Sequence, residues 1–176
     1  LSHKPFYAEI NFFEPHRPFD FGGVKPFKSK GVFIPKYIPT NQHSKIEFAA
    51  MQGAIKKMDE SILQILKILK KENLYENTII IFTTDHGIPF PKAKGTLYDS
   101  GIETSLIFHY PKLKSKNRKF NELISNIDIL PTLLDLAKIK KSKKIQGKSF
   151  YKLLHNQKYM ENKYIFAEKT YHEGFD

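Results

Sequence analysis

The 176-residue sequence contains no cysteine, which excludes disulfides, cysteine-ligated zinc and a cysteine nucleophile within these residues. Acidic residues are also scarce, 18 against 29 basic ones, which gives a net charge of +11. No apolar run approaches the roughly 20 residues that a membrane-spanning helix needs. The remaining composition is 40% hydrophobic and 14% aromatic, which is typical of a folded domain with a core rather than a disordered chain.

The excess of basic charge comes mostly from lysine, with a lysine-rich run between residues 138 and 144. A basic surface attracts polyanions such as sulfated glycans, anionic lipids and nucleic acids. The lysine-rich run is compatible with a solvated loop in a lysine-rich protein and with a patch that steers an anionic glycan; no specific nucleic-acid partner is predicted. The run comprises Lys138, Lys140, Lys141, Lys143 and Lys144.

The chain opens at Leu1 without a methionine and without a visible signal peptide. We interpret this start as truncated, so an upstream targeting signal is compatible with the sequence. The apolar and aromatic residues 5–13 predict a buried strand. The stretch 14–41 contains five prolines and three glycines, which exclude long helices and central strands and therefore predict a long ordered loop.

The middle of the chain alternates helix and strand patterns. A capping-box pattern at Ser44–Glu47 predicts a helix over 44–72, with one apolar stripe from Met51 to Leu69. The β-branched run 78–84 predicts a fully buried strand, and a helix leading directly into such a strand is typical of an α/β sheet. Further strands are predicted at 104–110 and 164–168, and further helices at 125–136 and 147–154.

The strongest chemical signal is Asp85-His86-Gly87 at the end of the predicted central strand. In open α/β sheets, ligands bind beyond the carboxyl ends of the strands. An Asp oxygen and a His nitrogen can ligate a cation, and Gly lets the backbone turn close to a ligand. The alternative is that Asp85 caps the following turn and that His86 lies on the surface.

Several further segments form an ordered set along the chain, namely residues 13–19 (FEPHRPF), 58–60 (MDE), 77–87 (NTIIIFTTDHG), 94–101 (KGTLYDSG) and 126–132 (NIDILPT). In this order they resemble the sulfatase family of the alkaline-phosphatase superfamily. The resemblance implies an α/β fold, namely a partial sulfatase-like sandwich with a mostly parallel sheet flanked by helices and without its N-terminal half. It also implies that residues 1–157 form the C-terminal portion of the catalytic domain and that 158–176 begin a C-terminal subdomain.

The resemblance implies roles for individual residues. Asp85 and His86 match the family's metal-binding pair, whose cation is usually calcium, although a His ligand is softer than the more common Asn. His16 matches the His that contacts the sulfate group or the leaving oxygen, and Lys94 matches the basic residue that binds a sulfate oxygen. A cation there stabilises charge that develops on the sulfuryl oxygens. The alternatives are a loop His bonded to a nearby carbonyl and an exposed lysine.

One departure from the family pattern concerns the substrate. Where many sulfatases carry the segment Gly-Ile-Arg-x-Pro, this chain has Glu103 in place of the Arg and Ser105 in place of the Pro. The loop 87–91, the Glu103 position and Tyr171-His172 resemble the heparan N-sulfatase (sulfamidase) branch. Glu103 is therefore expected either to meet a substrate amine or hydroxyl or to pair with a neighbouring lysine. His172 is expected either in the substrate pocket or on the surface.

The family's nucleophile motif is absent from these residues. Sulfatases use a formylglycine made from Cys or Ser in a C/S-x-P-x-R motif, and this motif and a first Asp-Asp metal pair precede residue 1 in the family order. We therefore expect a fragment of a metal-dependent sulfuric ester or sulfamate hydrolase acting on sulfated sugars, inactive on its own. Two alternatives are a phosphodiesterase or phosphonate hydrolase of the same superfamily and a non-catalytic polyanion-binding module. Self-association through an exposed sheet edge and a periplasmic or extracellular location are further expectations.

Overall fold

The computed structural model describes residues 4–113 and 117–170. They divide into two compact units: one comprises the residues up to Tyr75 together with Asp85–Thr104, and the other comprises Glu76–Thr84 and the residues from Ser105 onward. In chain order the elements are α1 (Gln42–Lys71), β1 (Ile80–Thr83), α2 (Asp99–Ile102), β2 (Leu106–His109), α3 (Ile129–Leu136) and α4 (Tyr151–Leu154), with 3-10 turns at Phe21–Gly23, Tyr75–Asn77 and Asn126–Asp128.

Helix α1 is close to its predicted length, but its cap differs from the prediction. The N-cap is Asn41, whose Oδ1 accepts the Ser44 N–H at 2.9 Å, while Ser44 Oγ accepts the Asn41 N–H at 3.0 Å. Ser44 therefore occupies the third helical position rather than the cap, and the predicted Ser44–Glu47 box is wrong. After the C-cap Glu72, a left-handed Asn73 (φ 56°) turns the chain, and the Leu74 N–H donates to the Leu69 carbonyl at 2.8 Å in a Schellman-type closure.

The first half of α1 forms the core of the first unit together with two aromatic residues from flanking segments. Phe48 is 1% exposed, and its ring stacks on that of Phe90 at 4.0 Å. The ring of Phe19 also stacks on that of Phe90, at 5.9 Å. The long loop lies along this half of the helix, where the Gln52 amide bonds the carbonyls of Phe27 and Gly31. The contacts of the loop lie along the first half of α1. The predicted apolar stripe of α1 is therefore buried at Met51 and partly exposed beyond it.

The second unit contains an antiparallel pair of strands. Strands β1 and β2 pair with Ile80 opposite His109 and Thr83 opposite Leu106. Phe150, directly before α4, contacts β2, where its ring meets that of Phe108 edge-on at 5.4 Å. Leu153 and Leu154 of α4 belong to the same buried cluster. Side chains of the α4 segment therefore pack against one strand of this pair.

A buried polar cluster ties α3 to the segment before α4. Asp128, 2% exposed, accepts the Ser125 N–H at 3.0 Å and the Lys148 N–H at 2.6 Å through its carboxylate. Thr132, which is fully buried, donates to the Asp128 carbonyl at 2.7 Å and accepts the Phe150 N–H at 2.9 Å. These bonds satisfy buried backbone groups that would otherwise destabilise the fold.

The sheet differs from the prediction in its extent and strand direction. The strands of the described residues run antiparallel, so a mostly parallel sheet is not present in this part of the chain. Strand β1 is partly exposed rather than fully buried. Residues 5–13 and 164–168 are not strands and are largely exposed, because no strand in the described residues pairs with them. The predicted boundary at residue 157 stays a prediction.

The described residues contain no helix whose length and apolar character would let it span a membrane. Helix α1 is 30 residues long, but charged side chains occur along it. Many large apolar side chains lie exposed outside the two cores. They include Phe6, Tyr7, Ile10, Phe13, Phe33, Ile107, Met160 and Phe166. The predicted self-association through an exposed sheet edge stays a prediction.

Candidate functional site

His16 and Lys94 lie side by side in the first unit, although 78 residues separate them in the sequence. The Lys94 ammonium nitrogen is 3.4 Å from His16 Nε2. His16 is exposed on the loop before α1, and Lys94 is half-buried in the segment that follows Asp85. The Lys94 ammonium, which is a donor, and a ring nitrogen that donates only when it carries a proton therefore meet at one accessible point, an arrangement that suits an anionic group.

The tautomer of neutral His16 follows from its contacts. His16 Nδ1 is 2.6 Å from the carbonyl oxygen of Arg17, and a carbonyl oxygen can only accept a hydrogen bond. Nδ1 must therefore carry a proton, which leaves Nε2, the atom facing Lys94, as the acceptor in the neutral ring. His16 is thus bonded to a nearby carbonyl, as one expectation had it. This bond is also compatible with a role for His16 in the site, because it orients the ring.

Arg17 connects the His16 loop to two other segments. Its Nε donates to the Pro89 carbonyl at 3.1 Å, and its Nη1 donates to the Glu47 carboxylate on α1 at 2.5 Å. The guanidinium carbon also lies 4.6 Å from the ring centre of Phe19 and 4.9 Å from that of Phe90. A loop, a helix and the Lys94 segment therefore meet at one side chain.

Asp85 and His86 form the turn that begins the Lys94 segment. Asp85 Oδ1 accepts the His86 N–H at 3.0 Å, and Asp85 Oδ2 lies 3.4 Å from His86 Nε2. His86 Nδ1 lies 2.7 Å from the Gly87 carbonyl, so it carries a proton and Nε2 is the nitrogen available to a ligand. Asp85 is largely exposed, and His86 is about one-third exposed.

The Asp85–His86 pair fits a cation in part. A ligating His typically donates its other ring N–H to a carbonyl, as His86 does, and an oxygen and a nitrogen 3.4 Å apart can share one ion. Calcium, however, takes about 6–8 oxygen ligands. Across residues 4–113 and 117–170, no group of three or more His, Cys, Asp or Glu residues is placed to hold a metal. These residues therefore supply at most part of a metal site.

Gly87 is required where it stands because the backbone packs against it. The Gly87 N–H donates to the Gly101 carbonyl at 2.9 Å, and a Cβ on Gly87 would lie 1.8 Å from the Ser100 carbonyl oxygen. Further along, the Ile88 carbonyl accepts both the Phe90 N–H and the Lys94 N–H, at 2.8 and 3.1 Å. The segment is therefore a tightly bonded loop that holds both Asp85-His86 and Lys94.

A model of the Sulfatase family matches residues 1–139 of the sequence. The chain belongs to the sulfatase family. An ulvan-active sulfatase of Formosa agariphila is 36% identical over 134 residues, which is 76% of this chain and 22% of that protein. The N-sulphoglucosamine sulphohydrolase of Homo sapiens is 26% identical over 156 residues, which is 75% of this chain and 31% of that protein. This sulfatase chain thus spans less than a third of the length of either relative.

Solved structures confirm the fold class. A 2-O GAG sulfatase superposes with a TM-score of 0.64 at 26% identity, covering 71% of this chain and 29% of its own. A phosphonate monoester hydrolase from Silicibacter pomeroyi superposes with a TM-score of 0.59 at 23% identity, covering 69% of this chain and 25% of its own. The second likeness concerns the fold alone. The predicted sulfatase-like α/β fold is therefore confirmed, and the described residues hold one part of it.

Besides the His16–Lys94 pair and the Asp85–His86 pair, the predicted site residues are Glu103 and His172. Glu103 follows α2 and is exposed, and no lysine among the described residues forms an ion pair with it, contrary to the structural pairing that was one expectation. His172 lies outside the described residues. The roles of His16, Lys94, Asp85, His86 and Glu103 in this sulfatase stay predictions.

Sequence reasoning overlooked Arg17 as a functional residue. It appeared only as the variable position of the Pro-His-x-Pro motif, between His16 and Pro18. Its carboxylate partner lies 30 residues away and its carbonyl partner 72 residues away, so no local pattern pointed to either contact. The available signal was a basic residue between a His and a Pro-Phe pair.

Proposed function

We propose that the protein carrying this chain hydrolyses sulfate esters or sulfamates of sugars, and that His16 and Lys94 contact the sulfuryl group. The observation that carries this proposal is the 3.4 Å approach of Lys94 Nζ to His16 Nε2 at an accessible point. Family membership supports the reaction class, and the pairing supports the assignment of these two residues.

The two side chains suit different parts of the reaction. In the net hydrolysis an oxygen that comes from water forms a new bond to sulfur and the sulfur–oxygen or sulfur–nitrogen bond of the substrate breaks. The leaving atom takes a proton that also comes from water, and inorganic sulfate is released. Lys94 would neutralise charge on a sulfuryl oxygen. His16 Nε2, whose orientation is set by the Nδ1 contact with the Arg17 carbonyl, would contact the leaving atom and can carry a proton there.

Two components of the proposal lie partly outside these residues. A formylglycine, when present in the intact protein, supplies the nucleophile that this chain's own side chains do not offer. Asp85 and His86 would hold one side of a calcium ion, which supplies positive charge next to the sulfuryl oxygens. Support comes from His86 Nε2 and Asp85 Oδ2, which lie 3.4 Å apart and fit a cation in part.

The substrate class follows from charge and from the relatives. One relative is named for activity on ulvan and another for N-sulphoglucosamine. A net charge of +11 favours approach of anionic glycans to this part of the protein. Glu103 and His172 are proposed as substrate-binding residues, with Glu103 suited to a substrate amine or hydroxyl because it is an exposed acid without an ion-pair partner among the described residues.

A phosphoryl- or phosphonate-transfer function is the second candidate, because a phosphonate monoester hydrolase shares the fold. Fold likeness does not assign chemistry, since one fold hosts many reactions. The non-catalytic polyanion-binding alternative rests on the basic charge, and its lysine run is exposed, with Lys141 bonded to Asp135 at 2.8 Å. Turnover measurements separate these three functions.

The test is sulfate release by the intact protein from N-sulfoglucosamine and from an aryl sulfate, with and without a calcium chelator. Lys94→Ala and Asp85→Asn should each lower kcat/KM by about 10²-fold or more, the usual effect of losing one charge-stabilising group. Lys92→Ala is the matched control. Lys92 is exposed and lies two residues before Lys94, so its substitution removes the same charge nearby and should leave kcat/KM unchanged. Turnover that survives both site substitutions would exclude the assignment.

A further inference from the structure

Arg17 is the meeting point of the segments that bring His16 and Lys94 together. Its carbonyl oxygen lies 2.6 Å from His16 Nδ1, so the backbone of Arg17 orients the His16 ring. Its side chain donates from Nε to the Pro89 carbonyl at 3.1 Å. The same residue therefore contacts both the His16 ring and the Lys94 segment.

The contact with Pro89 bears directly on Lys94. Pro89 and Phe90 lie in the turn whose Ile88 carbonyl accepts the N–H groups of Phe90 and Lys94 at 2.8 and 3.1 Å. The Arg17 guanidinium also lies over the Phe90 ring at 4.9 Å. A change in the Arg17 side chain is therefore transmitted through one bonded turn to the backbone of Lys94.

Helix α1 provides the fixed point of this arrangement. The Glu47 carboxylate accepts a hydrogen bond from Arg17 Nη1 at 2.5 Å, and the neighbouring Phe48 stacks on Phe90 at 4.0 Å. Arg17 and Glu47 are only 39% and 43% exposed, so solvent competes less for this contact than for a fully exposed ion pair. The helix thus holds both Arg17 and the turn that Arg17 contacts.

Only an arginine can make this set of contacts. The guanidinium is a planar fork that donates from Nε and Nη1 in fixed directions while its faces lie against aromatic rings. A lysine has one ammonium on a flexible stem, so it can replace the contact with Glu47 or the contact with Pro89, but not both with the same geometry.

We infer that Arg17 is a positioning residue that sets the distance between His16 and Lys94 by linking the His16 loop, helix α1 and the Pro89–Lys94 turn. This inference rests on the proposed function of the His16–Lys94 pair for its effect on turnover. The arrangement itself is a property of the structure and can be measured without turnover.

The kinetic test compares Arg17→Lys and Arg17→Ala in the intact protein with Arg118→Lys. Arg118 is a matched control in the second unit: its guanidinium also lies over a phenylalanine ring, that of Phe120 at 4.9 Å, and it also bonds a side chain, that of Asn156. Because a misplacement of about 1 Å costs on the order of 10²-fold in rate, kcat should fall by about 10- to 100-fold in both Arg17 variants. Arg118→Lys should retain wild-type kcat.

A role in charge alone, or in stability alone, gives different results. If Arg17 contributes only its charge, Lys at position 17 restores kcat. If it contributes only stability, the melting temperature falls while kcat per folded molecule is unchanged. Either result would overturn the inference.

A spectroscopic test distinguishes failure of this inference from failure of the proposed function. In protein labelled with nitrogen-15 histidine, Lys94→Ala should shift the His16 Nε2 resonance, because the ammonium lies 3.4 Å from that atom. In the Arg17→Lys background the same substitution should leave the resonance nearly unchanged, because the pair is no longer held together. An equal shift in both backgrounds contradicts the inference, whether or not the protein releases sulfate.

Discussion

Substituting Gly87 by alanine tests whether the Asp85–Lys94 loop is as tightly packed as its contacts indicate. The added Cβ would lie 1.8 Å from the Ser100 carbonyl oxygen and 2.8 Å from the Ser100 carbonyl carbon. Real Cβ atoms essentially never approach heavy atoms closer than 3.0 Å, so the two backbone segments must separate by at least 1.2 Å. Both contacting atoms belong to the backbone, so no side-chain rotation relieves the clash.

The expected cost has two parts. Overpacking of this kind typically destabilises by about 1–3 kcal/mol. The shift also lengthens the bond from the Gly87 N–H to the Gly101 carbonyl, now 2.9 Å, directly beside Asp85 and His86. A displacement of about 1 Å near a reacting group costs on the order of 10²-fold in rate. Gly87→Ala should therefore lose both stability and nearly all turnover.

Gly147→Ala provides the matched control. Its Cβ would lie 2.0 Å from the Ile127 carbonyl oxygen, a comparable backbone clash within the second unit and not in the Asp85–Lys94 loop. We expect a similar loss of stability, measured by urea unfolding, and a kcat per folded molecule near the wild-type value. Gly87→Ala with unchanged stability and turnover would refute the packing described for this loop.

Other substitutions test the second unit. Thr132→Val removes the hydroxyl that accepts the buried Phe150 N–H at 2.9 Å, and it should destabilise the fold by about 1–3 kcal/mol in urea unfolding. Thr132→Ser keeps the hydroxyl and should destabilise clearly less. Equal destabilisation by the two substitutions would contradict the role of the Thr132 hydroxyl as this acceptor. For Asp135, burial raises the carboxyl pKa, but hydrogen bonds from Lys141 and Ser149 together lower this pKa by more than burial raises it. The net carboxyl pKa is therefore below its usual value. The pair should stabilise the fold above the unfolded-state pKa of about 3.9 and lose this effect as the pH falls through the lower folded pKa. Asp135→Asn should therefore destabilise at pH 7 by roughly 0.2–1 kcal/mol, and the difference from wild type should shrink on acidification in pH-dependent unfolding; a difference that grows on acidification would contradict this sign.

Local elements were predictable because their signals are local. Helix α1 and the two strands lie within a few residues of their predicted positions, since apolar periodicity and β-branched runs act over short spans. The cap was assigned wrongly because Asn41 and Ser44 are both good capping residues, and only the backbone geometry selects between them. The exposure of residues 5–13 was not predictable, because a strand also needs a neighbour to pair with.

The candidate site was predictable in composition but not in geometry. The family resemblance selected His16, Lys94, Asp85 and His86, and the structure then showed which of them are adjacent. The ring orientation of His16 depends on its Arg17 carbonyl contact, which no sequence pattern indicates. The link from Arg17 to Glu47 spans 30 residues and depends on how the loop folds onto α1, so only coordinates reveal it.

The most direct test of the proposed function is the ratio of sulfate to phosphate released by the intact protein from p-nitrophenyl sulfate and p-nitrophenyl phosphate. These substrates share a leaving group, so the ratio reports the group that is transferred. We expect kcat/KM to be at least about 10²-fold higher for the sulfate, and we expect Lys94→Ala to lower the kcat/KM for the sulfate by about 10²-fold, because one charge-stabilising contact is worth about this much. Preferential phosphate release, or sulfate turnover that is unchanged in Lys94→Ala, would contradict the proposed role of the His16–Lys94 pair.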